Sequence, residues 1–259
     1  MQLMPGGEPF AFAGDPGGPR IGVVLCHGFT GTPSSLRPWG EHLAAAGMAV
    51  DCPRLPGHGT TWQDLNTTGW PDWYAELERA FDRLLADVPT VFAMGLSMGG
   101  TLCLRLAQQR GADVAGLVLV NPSLATERRD AKILPLLRHV LPSIAAIGSD
   151  IQKPGVREVA YGRTPLRAAY SLSQLWTLTR ADLAKLSAPI LLYRSRVDHV
   201  VEAGSARLLQ AGAAAADVAE VVLDNSYHVA TLDNDAPLIF SGSVDFVRSH
   251  APVGRPDAG

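Results

Sequence analysis

The sequence predicts an α/β protein built on a mostly parallel sheet with helices on both faces. Three observations carry that prediction. Short apolar runs of strand length alternate with longer stretches of helical spacing. The runs at 21–25, 90–96, 114–120 and 189–194 are predominantly apolar rather than alternating, as strands buried on both faces require. The chain has 259 residues, 47% hydrophobic and 18% charged, which is globular composition at a length ordinary for one large α/β unit.

The elements follow in order. Residues 1–19, rich in Gly and Pro, form an arm or first hairpin. Ile21-Gly22-Val23-Val24-Leu25 is a buried parallel strand that meets a turn at His27-Gly28. From Pro33 to Ala46 the residues Leu36, Trp39, Leu43 and Ala46 fall on one side of a helix, and Gly47 stops it. Ala49–Cys52 is the second strand. Trp73, Leu77, Phe81 and Leu84 share a face of a helix over 71–86. Strands at 90–96 and 114–120 flank a helix at 98–109. Further strands at 189–194 and 219–223 precede a closing helix at 236–250. Between Asn121 and about Leu186 there is no convincing strand, only apolar helical pieces such as 133–137 and 140–142. That interval is too long for one crossover. The expectation is a core domain over 1–121 and 187–259, with residues 122–186 inserted as a helical cap.

Composition narrows the function. The net charge of −3 and the absence of a basic run disfavour nucleic acid as a partner. Cys26, Cys52 and Cys103 have neither disulfide-framework nor zinc-site spacing and are expected to pack in the core. Met1–Gly18 has no basic segment leading into an apolar one, so no signal peptide is expected. No apolar run approaches the roughly 18 residues of a membrane span. The expectation is a cytoplasmic protein.

The strongest chemical signal is Gly95-Leu96-Ser97-Met98-Gly99-Gly100, between an apolar strand and a helix. This is the context of a nucleophile elbow, the feature that defines the α/β-hydrolase fold. The turn is so tight that only glycine fits two residues before and after the serine, and the serine itself sits at strained angles. A serine hydroxyl needs a base. Of seven histidines, His228 follows the last strand, where this fold carries its base. His27 and His58 are expected to fix loops, His42, His139 and His250 to lie on the surface or pack, and His199 to point elsewhere. Asp198, a short turn past the strand at 190–193, is the expected acid, holding the imidazole in one tautomer. Asp182, Asp224 and Asp233 are the alternatives, with Asp224 the best placed of them. The order Ser97, Asp198, His228 is the one this fold uses. The oxyanion donors are expected to be the backbone N–H groups of Met98, next to the nucleophile, and Phe29, after the first buried strand.

Five ordered segments resemble the bacterial monoacylglycerol lipases and related carboxylesterases: His27–Pro33, Arg54–Thr60, Gly95–Leu102, Asp198–Val201 and Asn225–Asp233. The likeness runs from about residue 20 to 250 and includes the cap segments 147–150 and 158–165. It implies a triad of Ser97, Asp198 and His228, oxyanion donors Phe29 and Met98, and cap residues Ile147 and Glu158 bordering the alcohol end of the substrate. The implied substrates are glycerol monoesters of medium to long acyl chains. A general carboxylesterase or thioesterase acting on short acyl substrates is the alternative. No cofactor and no metal are implied. The partner is a small lipid or ester, reached with at most transient contact at a membrane surface. Phe29, Trp62, Trp70 and Trp73, with the apolar cap, are expected to make the pocket greasy.

Overall fold

The structure, a computed structural model, describes residues 2–18, 20–128 and 133–251. Among the described residues nine strands form in chain order: β1 (Phe10–Phe12), β2 (Ile21–Cys26), β3 (Ala49–Cys52), β4 (Thr90–Leu96), β5 (Val114–Val120), β6 (Ser143–Ala145), β7 (Arg163–Pro165), β8 (Ile190–Ser195) and β9 (Val218–Leu223). Seven make one sheet in the order β1-β3-β2-β4-β5-β8-β9. All neighbours in it are parallel except β1 and β3. The expected arm therefore contributes an antiparallel edge strand on β3, not a hairpin. Residues 1 and 19 of that arm lie outside the described residues.

Alternation along each central strand divides the core in two. Val24 and Cys26 of β2, Val91 and Ala93 of β4, Leu117 and Leu119 of β5, and Ile190 and Leu192 of β8 point to one face. Val23 and Leu25, Phe92 and Met94, Val118 and Val120, and Leu191 and Tyr193 point to the other. The second face is covered by α1 (Arg37–Ala45) and α8 (Ala236–His250). Their contact is fixed by a hydrogen bond from the buried Trp39 Nε1 to Ser243 Oγ at 3.1 Å, which satisfies the ring's one polar atom. The first face is covered by α3 (Trp70–Asp87) and α4 (Met98–Arg110).

Four helices remain: α2 (Trp62–Leu65), α5 (Leu134–Leu137), α6 (Leu166–Ala181) and α7 (Gly204–Gly212). The interval expected to be one helical cap, 122–186, is built differently. Its first part carries α5 and an antiparallel ribbon in which Ser143, Ile144 and Ala145 of β6 face Pro165, Thr164 and Arg163 of β7. Three-residue strands hold too little pattern to be read from sequence. Its second part is α6, whose Ala168, Leu172 and Leu175 are buried in the same cluster as α3 and α4. Spacing of four and three puts these side chains on one face, and that face packs against α3 and α4. Within the interval 122–186, α6 is thus packed with the core helices; residues 129–132 of that interval lie outside the described ones. Among the described residues, no helix is long and apolar enough to cross a membrane.

The cap is tied down at its second strand. Tyr161 Oη donates to the Gly57 carbonyl at 2.7 Å and accepts from the Thr60 N–H at 2.8 Å. Asn66 Oδ1 accepts the Arg167 N–H at the start of α6, and Asn66 Nδ2 donates to the Pro142 carbonyl.

Candidate active site

β4 ends at Leu96, and α4 begins at Met98. Ser97 between them has φ 54° and ψ −118°, a backbone conformation that side chains rarely adopt. Its N–H donates to the Val120 carbonyl at the end of β5 at 2.9 Å, which holds the strained residue in place. The glycines around it are required sterically. A Cβ at Gly95 would collide with the Gly99 carbonyl, and one at Gly99 with the Cys26 and His27 carbonyls. The elbow thus forms because β2, β4 and α4 approach to backbone contact.

His228 lies past β9 and Asp198 past β8, both at the carboxyl edge of the sheet. His228 Nδ1 and Asp198 Oδ2 are 2.8 Å apart, with both side chains under 10% exposed. The other carboxylate oxygen accepts the Val200 and Val201 N–H groups, each at 2.8 Å. Burial alone would raise the Asp198 pKa, but the His228 ring and those two amides hold it below the usual carboxylate value. For His228, burial pushes the pKa down, while Asp198, with Glu158 and Asp150 further off, pushes it up; the net direction is up. The ring accordingly keeps Nδ1–H toward Asp198. Its Nε2 has no hydrogen bond among the described residues. In catalytic sites such bonds are often long or poorly aligned before substrate binds and tighten in its complex.

The loop after β2 reaches the same place. A Cβ on Gly28 would lie 3.5 Å from Ser97 Cβ. The Gly31 N–H donates to the Gly28 carbonyl at 3.3 Å, and Thr30 at the third position of this turn has φ 65°. Positive φ there is what a type II turn demands, ordinarily of glycine. The Thr30 carbonyl accepts the Tyr161 N–H from the cap, which pins the turn from above. The turn that contains Phe29 thus lies beside Ser97. Met98 is the first residue of α4, where N–H groups have no intrahelical partner and the helix dipole favours negative charge.

His27, His58 and His199 have other surroundings. His27 Nε2 accepts the Leu55 N–H at 3.2 Å, and complete burial lowers its pKa to about 4, so it is a neutral fixture of the loop. His58 is also buried, edge-on to His27 at 5.0 Å and near Trp73 at 5.6 Å. His199 turns away from His228 toward Asp150, at 2.8 Å. The alternative acids have other partners. Asp182 pairs with Arg105 and Lys185, Asp224 with Arg196, and Asp233 accepts backbone N–H groups of 152, 153, 227 and 234.

The cap residues divide. Glu158 is half-buried, close enough to His228 to interact electrostatically, and its Oε1 lies 2.6 Å from where a Cβ on Gly31 would be. Burial raises its pKa to about 7, so at neutral pH the carboxyl is poised to donate or to accept. Ile147 is 48% exposed and joins neither hydrophobic cluster. The aromatic expectation needs correcting at Trp73. That residue is fully buried in the core, and the Phe29 ring packs toward it at 5.8 Å. Trp62 and Trp70 are partly buried.

Sequence reasoning missed Asn121. Its backbone φ is 45°, its Nδ2 donates to the His228 carbonyl at 2.8 Å, and its Oδ1 accepts the Ser195 N–H. It joins the ends of β5 and β8 to the His228 loop. Its position directly after a buried strand was the one available signal.

An α/β sheet whose carboxyl edge gathers a strained serine and a buried His–Asp pair defines the chain as a serine hydrolase of the α/β-hydrolase fold. Residues 17–235 match the family model described as serine aminopeptidase, S33. The chain belongs to this family. It is 41% identical to a thermostable monoacylglycerol lipase of Bacillus sp. (strain H-257), over 96% of this chain and 97% of that one. A carboxylesterase of Bacillus subtilis (strain 168) is 24% identical over 93% and 96% of the two chains. Among solved structures, one from work on the metagenome-derived lipolytic enzymes LipS and LipT superposes with a TM-score of 0.91 at 38% identity, covering 96% of this chain and all of that one.

Proposed function

We propose that the chain is a serine esterase that cleaves glycerol monoesters of medium to long acyl chains, with Ser97 as nucleophile, His228 as base and Asp198 as the acid that orients it. The observation that carries the chemistry is the strained Ser97 beside a buried His228–Asp198 pair. The 41% identity to a monoacylglycerol lipase supports the substrate.

In the proposed reaction, His228 Nε2 takes the Ser97 proton as Oγ attacks the ester carbonyl. Asp198 stabilises the imidazolium, and the Phe29 and Met98 N–H groups receive the oxyanion. His228 then gives its proton to the departing glycerol oxygen, leaving Ser97 acylated. Water, deprotonated by the same histidine, releases the fatty acid and restores the serine. Glu158, at the mouth beside the Gly28–Gly31 turn, is suited to hydrogen bond the glycerol hydroxyls. Ile147 borders the same end. Leu136 and Val140 on the cap are 76% and 74% exposed, which supports transient contact of a cytoplasmic enzyme with a membrane surface that supplies the lipid.

Turnover of a monoacylglycerol series beside the matching di- and triacylglycerols, short nitrophenyl esters and thioesters tests the proposal. Activity confined to monoesters, rising to medium or long chains, is the expected result. Cleavage of short esters or thioesters alone would move the chain to the general carboxylesterases or thioesterases. Truncating Glu158 to alanine is expected to raise KM for monoacylglycerol by roughly tenfold, the worth of one hydrogen bond to a charged group, while leaving KM for short nitrophenyl esters nearly unchanged.

The raised His228 pKa also sets the pH response. The base must be neutral to take the serine proton, so kcat/KM is expected to fall as pH drops through a value above that of an ordinary histidine. A pH–rate profile with its acid limb at or below the ordinary histidine value would contradict this.

A further inference from the structure

A third carboxylate joins the loops that carry Asp198 and His228, and neither loop supplies it. Asp150 belongs to the interval between β5 and α6. Its Oδ2 accepts the His199 N–H at 3.0 Å and the His228 N–H at 3.2 Å. Its Oδ1 sits 2.8 Å from His199 Nδ1, and its backbone carbonyl accepts the Val229 N–H at 3.1 Å. The Asp150 side chain is 10% exposed, against 55% for the His199 ring. Residue 199 follows the acid and residue 228 is the base, so one side chain holds the acid loop and the base loop in a single register. The neighbouring backbone is anchored separately. The N–H groups of Gln152 and Lys153 donate to Asp233, which is 1% exposed.

We propose that Asp150 is a positioning residue for the reaction, holding the backbone of both loops and placing a second negative charge near His228. The inference rests on the assignment of His228 as base. During attack on the ester, His228 becomes an imidazolium. Asp198 neutralises it from Nδ1, and a further buried carboxylate stabilises the same charge through a low-dielectric surrounding. The charged and titratable groups facing His228 are Asp198 on its own edge of the sheet, Glu158 and Asp150 from the cap, and His199 on the far side of Asp150. Asp150 and Glu158 both favour the protonated ring. Asp150 differs in being hydrogen bonded to the loop backbone, so it acts whatever the alcohol portion of the substrate.

The test is Asp150→Asn in the full chain, measured across pH on a glycerol monoester and on a short nitrophenyl ester. Asp233→Asn and Ser97→Ala are measured beside it. For Asp150→Asn the expected result is a kcat about tenfold lower on both esters, the value of one charge-assisted hydrogen bond in the transition state, with KM nearly unchanged. Losing the negative charge lowers the His228 pKa, so the acid limb of kcat/KM moves to lower pH. Asp233→Asn is expected to lower Tm and leave the acid limb where it is. A wild-type kcat and an unmoved acid limb in Asp150→Asn would overturn the proposal. Equal displacement of the limb in both variants would also overturn it, reducing Asp150 to a plain anchor. If Asp150→Asn does not fold, Asp150→Glu keeps the charge. It should lower kcat while holding the acid limb at its wild-type position, and a moved limb would count against the proposal. Activity surviving in Ser97→Ala would instead sink the triad assignment, a different failure from that of Asp150.

Discussion

Replacing Ser97 by alanine is expected to lower kcat by roughly 10⁴-fold or more on every ester the enzyme accepts. The loss is large because the acyl-enzyme route disappears, leaving only the oxyanion donors and substrate binding to act on water. It should be nearly independent of the acyl chain, since Ser97 touches the carbonyl and not the tail. The fold should survive. Alanine at φ 54° meets the same backbone strain as serine, and the N–H bond to the Val120 carbonyl does not involve the side chain. A Tm close to the parent, together with loss of labelling by a covalent serine-directed probe, would separate lost chemistry from lost structure. Retained turnover would mean that another group is the nucleophile.

Much of this architecture was legible because it rests on burial and on steric necessity. The central strands could be read from apolar runs because both faces of the sheet are covered. The elbow could be read from Gly95 and Gly99 because nothing larger fits against the Gly99 and Cys26 carbonyls. His228 and Asp198 followed from their places after β9 and β8, and the structure brings them to 2.8 Å. What escaped was held by contacts that leave little local pattern. The β6–β7 ribbon has three residues a side. Helix α6 falls in the sequence interval of an insertion, yet its Ala168, Leu172 and Leu175 are buried against α3 and α4. Asn121, Asp150 and Asp233 act through backbone groups far away in the chain, and a single polar residue carries no periodicity to mark it. Trp73 shows the reverse limit. An aromatic residue near a site in sequence was read as lining it, whereas its fully buried ring serves the core and its Nε1 donates to Thr68 Oγ1 at 3.0 Å.

The same crowding that makes the elbow readable makes Gly99→Ala the most damaging single methyl that could be added near the site. Gly99 lies in the first turn of α4, and the added Cβ would overlap the backbone carbonyls of Cys26 and His27. These are not side chains that can rotate away. Cys26 is the last residue of β2, buried between β3 and β4, so relief requires moving either α4 or the loop that begins at His27. Overpacking of this kind costs about 1–3 kcal/mol or more, which for a domain of this size lowers Tm by several degrees. Activity should suffer more than stability. Both halves of the proposed oxyanion hole flank the collision, Met98 on the α4 side and Phe29 two residues past His27. A displacement near 1 Å in such a place costs roughly 10²-fold in rate, and losing a donor roughly 10²- to 10³-fold. Gly148→Ala is the fitting comparison, because nothing lies within 4 Å of the Cβ it would add. Thermal unfolding and kcat on a short nitrophenyl ester would decide the matter. A Gly99→Ala protein with the parent's Tm and turnover would show that β2 and α4 yield to each other, and that the oxyanion geometry does not depend on their contact.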